Sequence, residues 1–320
     1  MKVQKLSRKI LVIRGGAIGD FILTLPVLAA LREQFPQAGL ELLGYPHIAQ
    51  LALAGGLVDA VRSIDAGPLA GFFAHAGNLD KRLQEYFGGF EIIISYLYDP
   101  DAIFQTNVAR CSKAQFIAGP HRPDETAGVH ATRVLLKPLE RLAIFEASHV
   151  PRLQITAAER APTKAGGGAH PVLVLHPGSG SERKNWPEAA WAEMLRELAA
   201  VPDLEFRLAG GEVEGTRLDR LAAFLPQPRT ELWRSLPLVQ LAGQLAACDA
   251  FVGHDSGISH LAAALGVPTL VLWGETLEAI WRPQGHHVRV LSAGPSLATL
   301  PVPTVLASLC PVTRRAMAGG

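Results

Sequence analysis

The feature that most constrains this chain is an alternation, maintained from one end to the other, of short apolar strand-like runs with helix-like periodic stretches. Strands separated by whole helices are joined by crossovers and not by hairpins, so they line up parallel; the expectation is an α/β architecture with parallel sheets. In the first half the strand candidates are KILVIRG, LELLG, AVRSI and EIIISYL. The last has β-branched residues on both faces, as a strand covered on both sides requires. Between them the clearest helical pattern is GDFILTLPVLAALREQF. The alternation stops at AAERAPTKAGGGAHP, residues 157–171, where Pro, Gly and Ala replace any period, and this stretch reads as a linker. It restarts with PVLVLH, a helix near PEAAWAEMLRELAA, the strand LEFRLAGG, another helix, the run CDAFVGHDSGISHLAAALGVPTLVLWG (residues 248–274) and HHVRVL.

A length of 320 residues suits two domains, 1–160 and 161–320, with the last helix able to pack back on the first; a single large α/β barrel also suits the length. Two open sheets joined by a loose hinge leave a cleft at the carboxyl ends of their strands, where ligands of such folds bind. Hydrophobic residues make up 48% of the chain and charged ones 18%, enough for two sizeable cores. The net charge of +1 speaks against a nucleic-acid partner. No apolar run approaches the roughly 20 residues that span a bilayer. The N-terminal apolar segment Ile10–Ile13 is cut off by Arg14, too short for a signal peptide. The three cysteines, Cys111, Cys248 and Cys310, have no metal spacing and cannot all pair, so a reduced, cytoplasmic setting is expected.

Four stretches carry chemistry. The first, IRGGAIGD (residues 13–20), is a glycine-rich turn between a strand and a helix. A dinucleotide fingerprint counted back from Gly19 needs glycine at 14, where Arg14 stands, and the second strand ends at Gly44 and Tyr45 without an acid for a ribose, so NAD is disfavoured. What remains is a turn, Gly15, Gly16 and Gly19, that lets another molecule approach the backbone, followed by Asp20, which reads equally as a functional acid or as a helix cap. The second, HPGSGSERKNWP (residues 176–187), lacks the Walker ending, yet Gly178, Ser179, Gly180 and Ser181 expose amides and Lys184 adds an ammonium; that set suits a phosphate.

The third is the elbow inside residues 248–274. A helix starting near Gly257 directs free amides and its positive dipole end at a ligand, Ser256 adds a hydroxyl and His260 an N–H donor. Against this, Asp255 also reads as a cap and His260 as a packed helix residue. Two anion-friendly elbows in one half favour a diphosphate. In the fourth, LAGGEVEG (residues 208–215), Glu212 is placed to accept from ribose hydroxyls or is an exposed loop acid. His286, His287, Trp186, Trp191 and Trp281 read as packing or strand-end residues.

Taken together, ILVIRGGAIGDFILTLPVLAALREQFP, LHPGSGSERKNWP and LAACDAFVGHDSGISHLAAALGVPTLVLWG resemble glycosyltransferase family nine, the ADP-heptose:lipopolysaccharide heptosyltransferase family. The resemblance implies a GT-B fold of two Rossmann-like domains facing a cleft, with the nucleotide-sugar in the C-terminal domain and the acceptor in the N-terminal one. It also implies inversion at the sugar carbon with no obligatory metal. On it, Asp20 matches the general base, Lys184 with Ser179 and Gly180 the diphosphate contacts, and Glu212 a ribose contact. Asp255, Ser256, Gly257 and His260 match the donor-site Asp-Ser/Thr-Gly-x-x-His motif, and Arg14, Gly15, Gly16 and Gly19 form the acceptor-side loop.

Two departures stand out: Gly15 and Gly16 replace hydroxyl residues, and LWRSLPL (residues 232–238) has Arg234 where a glycine is usual, which leaves the donor base open. The expectation is an inverting transfer of heptose, or a related sugar, from ADP-heptose to a lipid-anchored lipopolysaccharide-core glycan. It includes peripheral contact with the inner membrane; the basic cluster Lys2, Lys5, Arg8 and Lys9 could add about 1 kcal/mol per charge to such contact, although a solvated tail is the safer reading of it. The rival readings are a nucleotide-sugar epimerase or hydrolase on the same fold and a non-catalytic sugar-nucleotide-binding protein.

Overall fold

The computed structural model describes residues 8–155, 170–212 and 214–309. Most of the 157–171 linker, together with Lys2, Lys5 and Cys310, lies outside the described residues. The chain divides into two compact units, Met1–Pro151 and Arg152–Gly320.

The first unit is a sheet of five parallel strands, β1 (Lys9–Arg14), β2 (Gly39–Gly44), β3 (Ala60–Ser63), β4 (Ile92–Ser95) and β5 (Gln115–Ala118), in the order β3-β2-β1-β4-β5. Its helices are α1 (Ile18–Ile22), α2 (Leu25–Gln34), α3 (Pro46–Ala54), α4 (Lys81–Gly88), α5 (Ile103–Ala109) and α6 (Ala131–Leu136). Leu11, Ile13, Leu43, Ile93, Phe72, Phe87 and Phe104 form one buried cluster against the sheet. The long helical pattern after β1 is broken into α1 and α2 because Pro26 has no amide to donate and its ring collides with the carbonyl four residues back. Strand β5 was invisible to periodicity: QFIA is an edge strand with two exposed residues, so it shows neither an apolar run nor a clean alternation.

The second unit repeats the plan with six parallel strands, β6 (Val172–His176), β7 (Glu205–Gly210), β8 (Thr230–Arg234), β9 (Ala250–His254), β10 (Thr269–Trp273) and β11 (Val288–Ser292), in the order β11-β10-β9-β6-β7-β8. The helices are α7 (Glu188–Ala199), α8 (Gly215–Ala222), α9 (Leu238–Leu245), α10 (Gly257–Ala264) and α11 (Glu278–Trp281). Central strands β9 and β10 are buried at every residue, whereas the overlooked β8, TELWR, is again an edge strand and largely accessible. The last helical stretch, 302–309, sends Val302, Val305 and Leu309 into this unit's own core.

Strand order positions the chemistry. In each sheet the chain builds outward on one side of the first strand and then crosses to the other, so the direction of winding reverses between β1 and β4 and between β6 and β9. At such a switch point the helices diverge to opposite faces and the loops at the carboxyl ends part to leave a crevice. The glycine turn after β1, the loop after β6 and the elbow after β9 all open there. His176 at the end of β6 pairs in register with Gly253, so the loops beginning at Pro177 and Asp255 are neighbours.

Candidate functional site

In the first unit the turn after β1 is organised by Arg14. Its side chain is 4% exposed; Nη1 donates to the His121 carbonyl at 2.9 Å and Nη2 to the Asp20 carbonyl at 3.2 Å. Nη2 also lies 3.6 Å from Asp20 Oδ1. The other carboxylate oxygen of Asp20 accepts from the Ala17 amide at 3.1 Å, the backward bond that caps the start of α1. Asp20 is thus a cap and at the same time a carboxylate that is 31% exposed. Burial lowers the pKa of the Arg14 guanidinium, and the charge of Asp20 opposes that shift. Gly16 has φ +103°, and a Cβ there would sit 3.0 Å from Asp20 Oδ2, so the turn admits only glycine at this point.

In the second unit, Lys184 ends a short 3₁₀ turn and its Nζ donates to Asp255 Oδ2 at 2.7 Å. Thr276 Oγ1 donates to the same oxygen at 2.7 Å. Asp255 is therefore the centre of a small cationic and hydroxyl cluster and does not cap α10; that role falls to Ser256, whose Oγ accepts from the Ser259 amide. Ser259 Oγ in turn donates to the His254 carbonyl at 2.5 Å, locking the elbow. His260, one turn into α10, is 5% exposed. In the loop after β6, Ser179 Oγ lies 2.8 Å from both the Ser181 carbonyl and Asn185 Oδ1. Gly180 adopts φ +77° beside open space. Glu212 is exposed after β7.

Sequence reasoning passed over three neighbours of these loops. Glu214 is 8% exposed; its Oε2 accepts from the Gly211 amide at 3.0 Å, and its side chain lies where a Cβ on Gly178 would be, 2.4 Å away. The signal for it was the glycine at 178, which leaves room for a carboxylate under the loop. Thr276 had no local signal, since its partner is 21 residues away. His254 closes β9 and had no local signal either, since its partners are 63 to 76 residues away. Desolvation draws the imidazole of His254 down to about 3 and that of His176 to about 4, the charge of Glu214 opposing the latter. Both rings are neutral at physiological pH.

Arg234, the departure at the end of β8, donates to the Gly215 carbonyl at 2.9 Å and pairs with Asp219, so it tethers the start of α8. Trp186 and Trp191 are buried and packed edge to face. Arg8 and Lys9 pair with Glu91 and Glu41 at 3.7 and 2.9 Å. Cys111 and Cys248 are free thiols, and burial pushes that of Cys248 up to about 12. A cavity of about 340 Å³ in the first unit, lined by Arg133, Lys137, Glu140, Ile144, Phe145 and His149 among others, includes none of the residues singled out from the sequence. No helix among the described residues is long and apolar enough to cross a membrane, and no group of three or more His, Cys, Asp or Glu among them is placed to hold a metal.

Two successive doubly wound parallel sheets, with polar loops at their switch points, define the chain as one of the GT-B class of proteins. It belongs to glycosyltransferase family 9 (heptosyltransferase), whose sequence model matches residues 113–300, more than half of the chain. Lipopolysaccharide heptosyltransferase 1 of Pseudomonas aeruginosa is 43% identical over 110 residues, which cover 33% of this chain and 29% of that protein, so the match spans less than a third of the relative's length. The structure of Escherichia coli ADP-heptose lipopolysaccharide heptosyltransferase II superposes with a TM-score of 0.77 at 19% identity, over 96% of this chain and 99% of that one. The Escherichia coli heptosyltransferase WaaC with ADP superposes with a TM-score of 0.73 at 19% identity, over 95% and 99%.

Proposed function

We propose that this protein is an inverting glycosyltransferase that moves a heptose, or a related sugar, from ADP-heptose to a hydroxyl of a lipid-anchored lipopolysaccharide-core-type glycan. The observation that carries the reading is the cluster at the second sheet's switch point, where Lys184 from the loop after β6 meets Asp255 and Thr276 at the elbow that opens α10. An ammonium, free amides and a helix N-terminus are the groups that a diphosphate needs. Family membership and the ADP held by the Escherichia coli relative support a nucleotide-sugar as the donor.

In this mechanism the acceptor oxygen attacks the anomeric carbon, its proton passes to Asp20, and the glycosidic bond to ADP breaks with inversion. Charge grows on the leaving diphosphate, and Lys184 with the loop and α10 amides stabilises it, the role a metal has in other transferases. Asp255 holds Lys184 in place, Ser179 fixes the loop's shape, and Ser256, Gly257 and His260 line the donor side. Glu212, exposed after β7, is the acid available to ribose hydroxyls, while the buried Glu214 supports the loops from beneath. Arg14 with Gly15, Gly16 and Gly19 shapes the acceptor side around Asp20. A lipid-anchored acceptor brings the enzyme to the cytoplasmic face of the inner membrane as a peripheral protein.

Titration with ADP-, GDP- and UDP-sugars, followed by product analysis with and without glycan acceptor, tests the proposal. Preferential binding of ADP-heptose, with ADP released only when acceptor is present, is the expected result. Isomerisation or hydrolysis of donor alone points to an epimerase or hydrolase, and donor binding without any turnover points to a binding protein.

A further inference from the structure

The two ends of the loop that follows β6 are tied to one side chain. His254, the last residue of β9, is fully buried. Its Nε2 lies 2.9 Å from the Trp186 backbone nitrogen and 3.3 Å from Trp191 Nε1, and its Nδ1 lies 3.4 Å from the Gly178 carbonyl oxygen. Each partner has a fixed sense: a backbone amide and an indole N–H only donate, and a carbonyl only accepts. The ring proton must therefore sit on Nδ1, with Nε2 bare. The other tautomer and the imidazolium both set an N–H against two N–H donors. One neutral imidazole thus bonds Gly178 at the loop's start and Trp186 at its end, and the segment it closes carries Ser179, Gly180 and Lys184. Trp191 holds the ring edge to face at 5.5 Å, so its plane is fixed. Asp255 is the next residue in the chain, so the end of β9 sets the position of both partners in the Lys184–Asp255 pair.

We infer that His254 is a positioning residue, a neutral imidazole clip that closes the 178–186 loop and so sets Lys184 opposite Asp255 for the donor diphosphate. The link to the diphosphate rests on the function proposed above; the clip itself does not. A histidine that merely fills the core needs no defined tautomer and has no bearing on ligand affinity.

Two variants divide the clip. His254→Asn keeps a donor near the Nδ1 position and loses the acceptor for Trp186 and Trp191, whereas His254→Gln keeps an acceptor near Nε2 and loses the donor to Gly178. On the full chain, ¹⁵N ring shifts of the wild type should report a neutral, Nδ1-protonated His254 from pH 5 to 8. Hydrogen exchange should show the Trp186 amide protected in the wild type and in His254→Gln, and released in His254→Asn. Kd for ADP should rise about tenfold in each variant, the equivalent of one lost hydrogen bond, while KM for the acceptor is unmoved. An Nε2-protonated or charged ring overturns the inference, as does unchanged ADP affinity in a variant whose Trp186 amide has been released. If the wild type binds no ADP, the diphosphate reading falls, and the ring spectrum and Trp186 exchange still decide whether the clip exists.

Discussion

Asp20 is a case where one carboxylate has two duties, since one oxygen caps α1 through Ala17 and the other faces the buried Arg14. Asp20→Asn keeps a capping oxygen but removes the charge that compensates a guanidinium only 4% exposed, so some stability is lost, of the order of 1 kcal/mol for a pair that solvent partly screens. A missing general base costs roughly a hundred to ten thousandfold in rate. The variant should therefore melt modestly earlier, bind ADP as the wild type does, and turn over at least a hundredfold more slowly. Turnover that persists in a less stable protein would show Asp20 to be a cap alone. Lys184 is the complementary case. Lys184→Ala removes the ammonium and frees Asp255 to repel an arriving diphosphate, so ADP affinity should fall and turnover drop by about a hundredfold or more. Calorimetry with ADP and steady-state rates check both effects, and unchanged values in each would place the diphosphate elsewhere.

At the level of elements, β6 and β9 each end in a buried histidine, and this makes the second unit sensitive to acid. His254 is held down at about 3 and His176 at about 4, both by desolvation, against an ordinary value of 6.5. An unfolded chain binds protons at these positions below about pH 6.5, which the folded chain refuses, so stability is intact above that pH and falls as pH drops toward 4 and then 3. Each group adds a slope of up to about 1.4 kcal/mol per pH unit inside its window. Urea midpoints measured from pH 8 to pH 4 should fall steadily below pH 6.5, and less steeply in His254→Gln. Glu182 and Glu188, lowered chiefly by hydrogen bonds from Arg217 and Arg220, add their own loss at lower pH, so the difference between wild type and variant is the informative quantity. Equal slopes in the two proteins would mean that His254 is charged or exposed in solution.

For the whole molecule, the proposed stabilisation of the leaving group by Lys184 and backbone amides predicts that transfer survives excess EDTA. Activity that is abolished by the chelator and restored by a divalent ion would overturn that assignment. Much of the architecture was legible from residue order. Alternating apolar and amphipathic runs specify α/β units because burial on a sheet and on a helix face demand different periods, and small residues after KILVIR, VLVLH and AFVGH mark three turns at the carboxyl ends of strands because Gly and Ser leave backbone amides uncovered. The edge strands β5 and β8 escaped notice, since each has two exposed residues and a single buried one and so leaves no apolar run. What tertiary structure alone decided is which elbows meet. Periodicity says where a strand lies, not which strand will be its neighbour, and only the pairing of β6 with β9 brings Lys184 onto Asp255, 71 residues away, and His254 onto Gly178 and Trp186. Thr276 became visible for the same reason, its partner Asp255 lying 21 residues away, whereas Glu214, whose hydrogen bond to the Gly211 amide is local, owes its burial beneath Gly178 to the pairing of β6 with β7, because burial and distant partners are properties of three-dimensional neighbours.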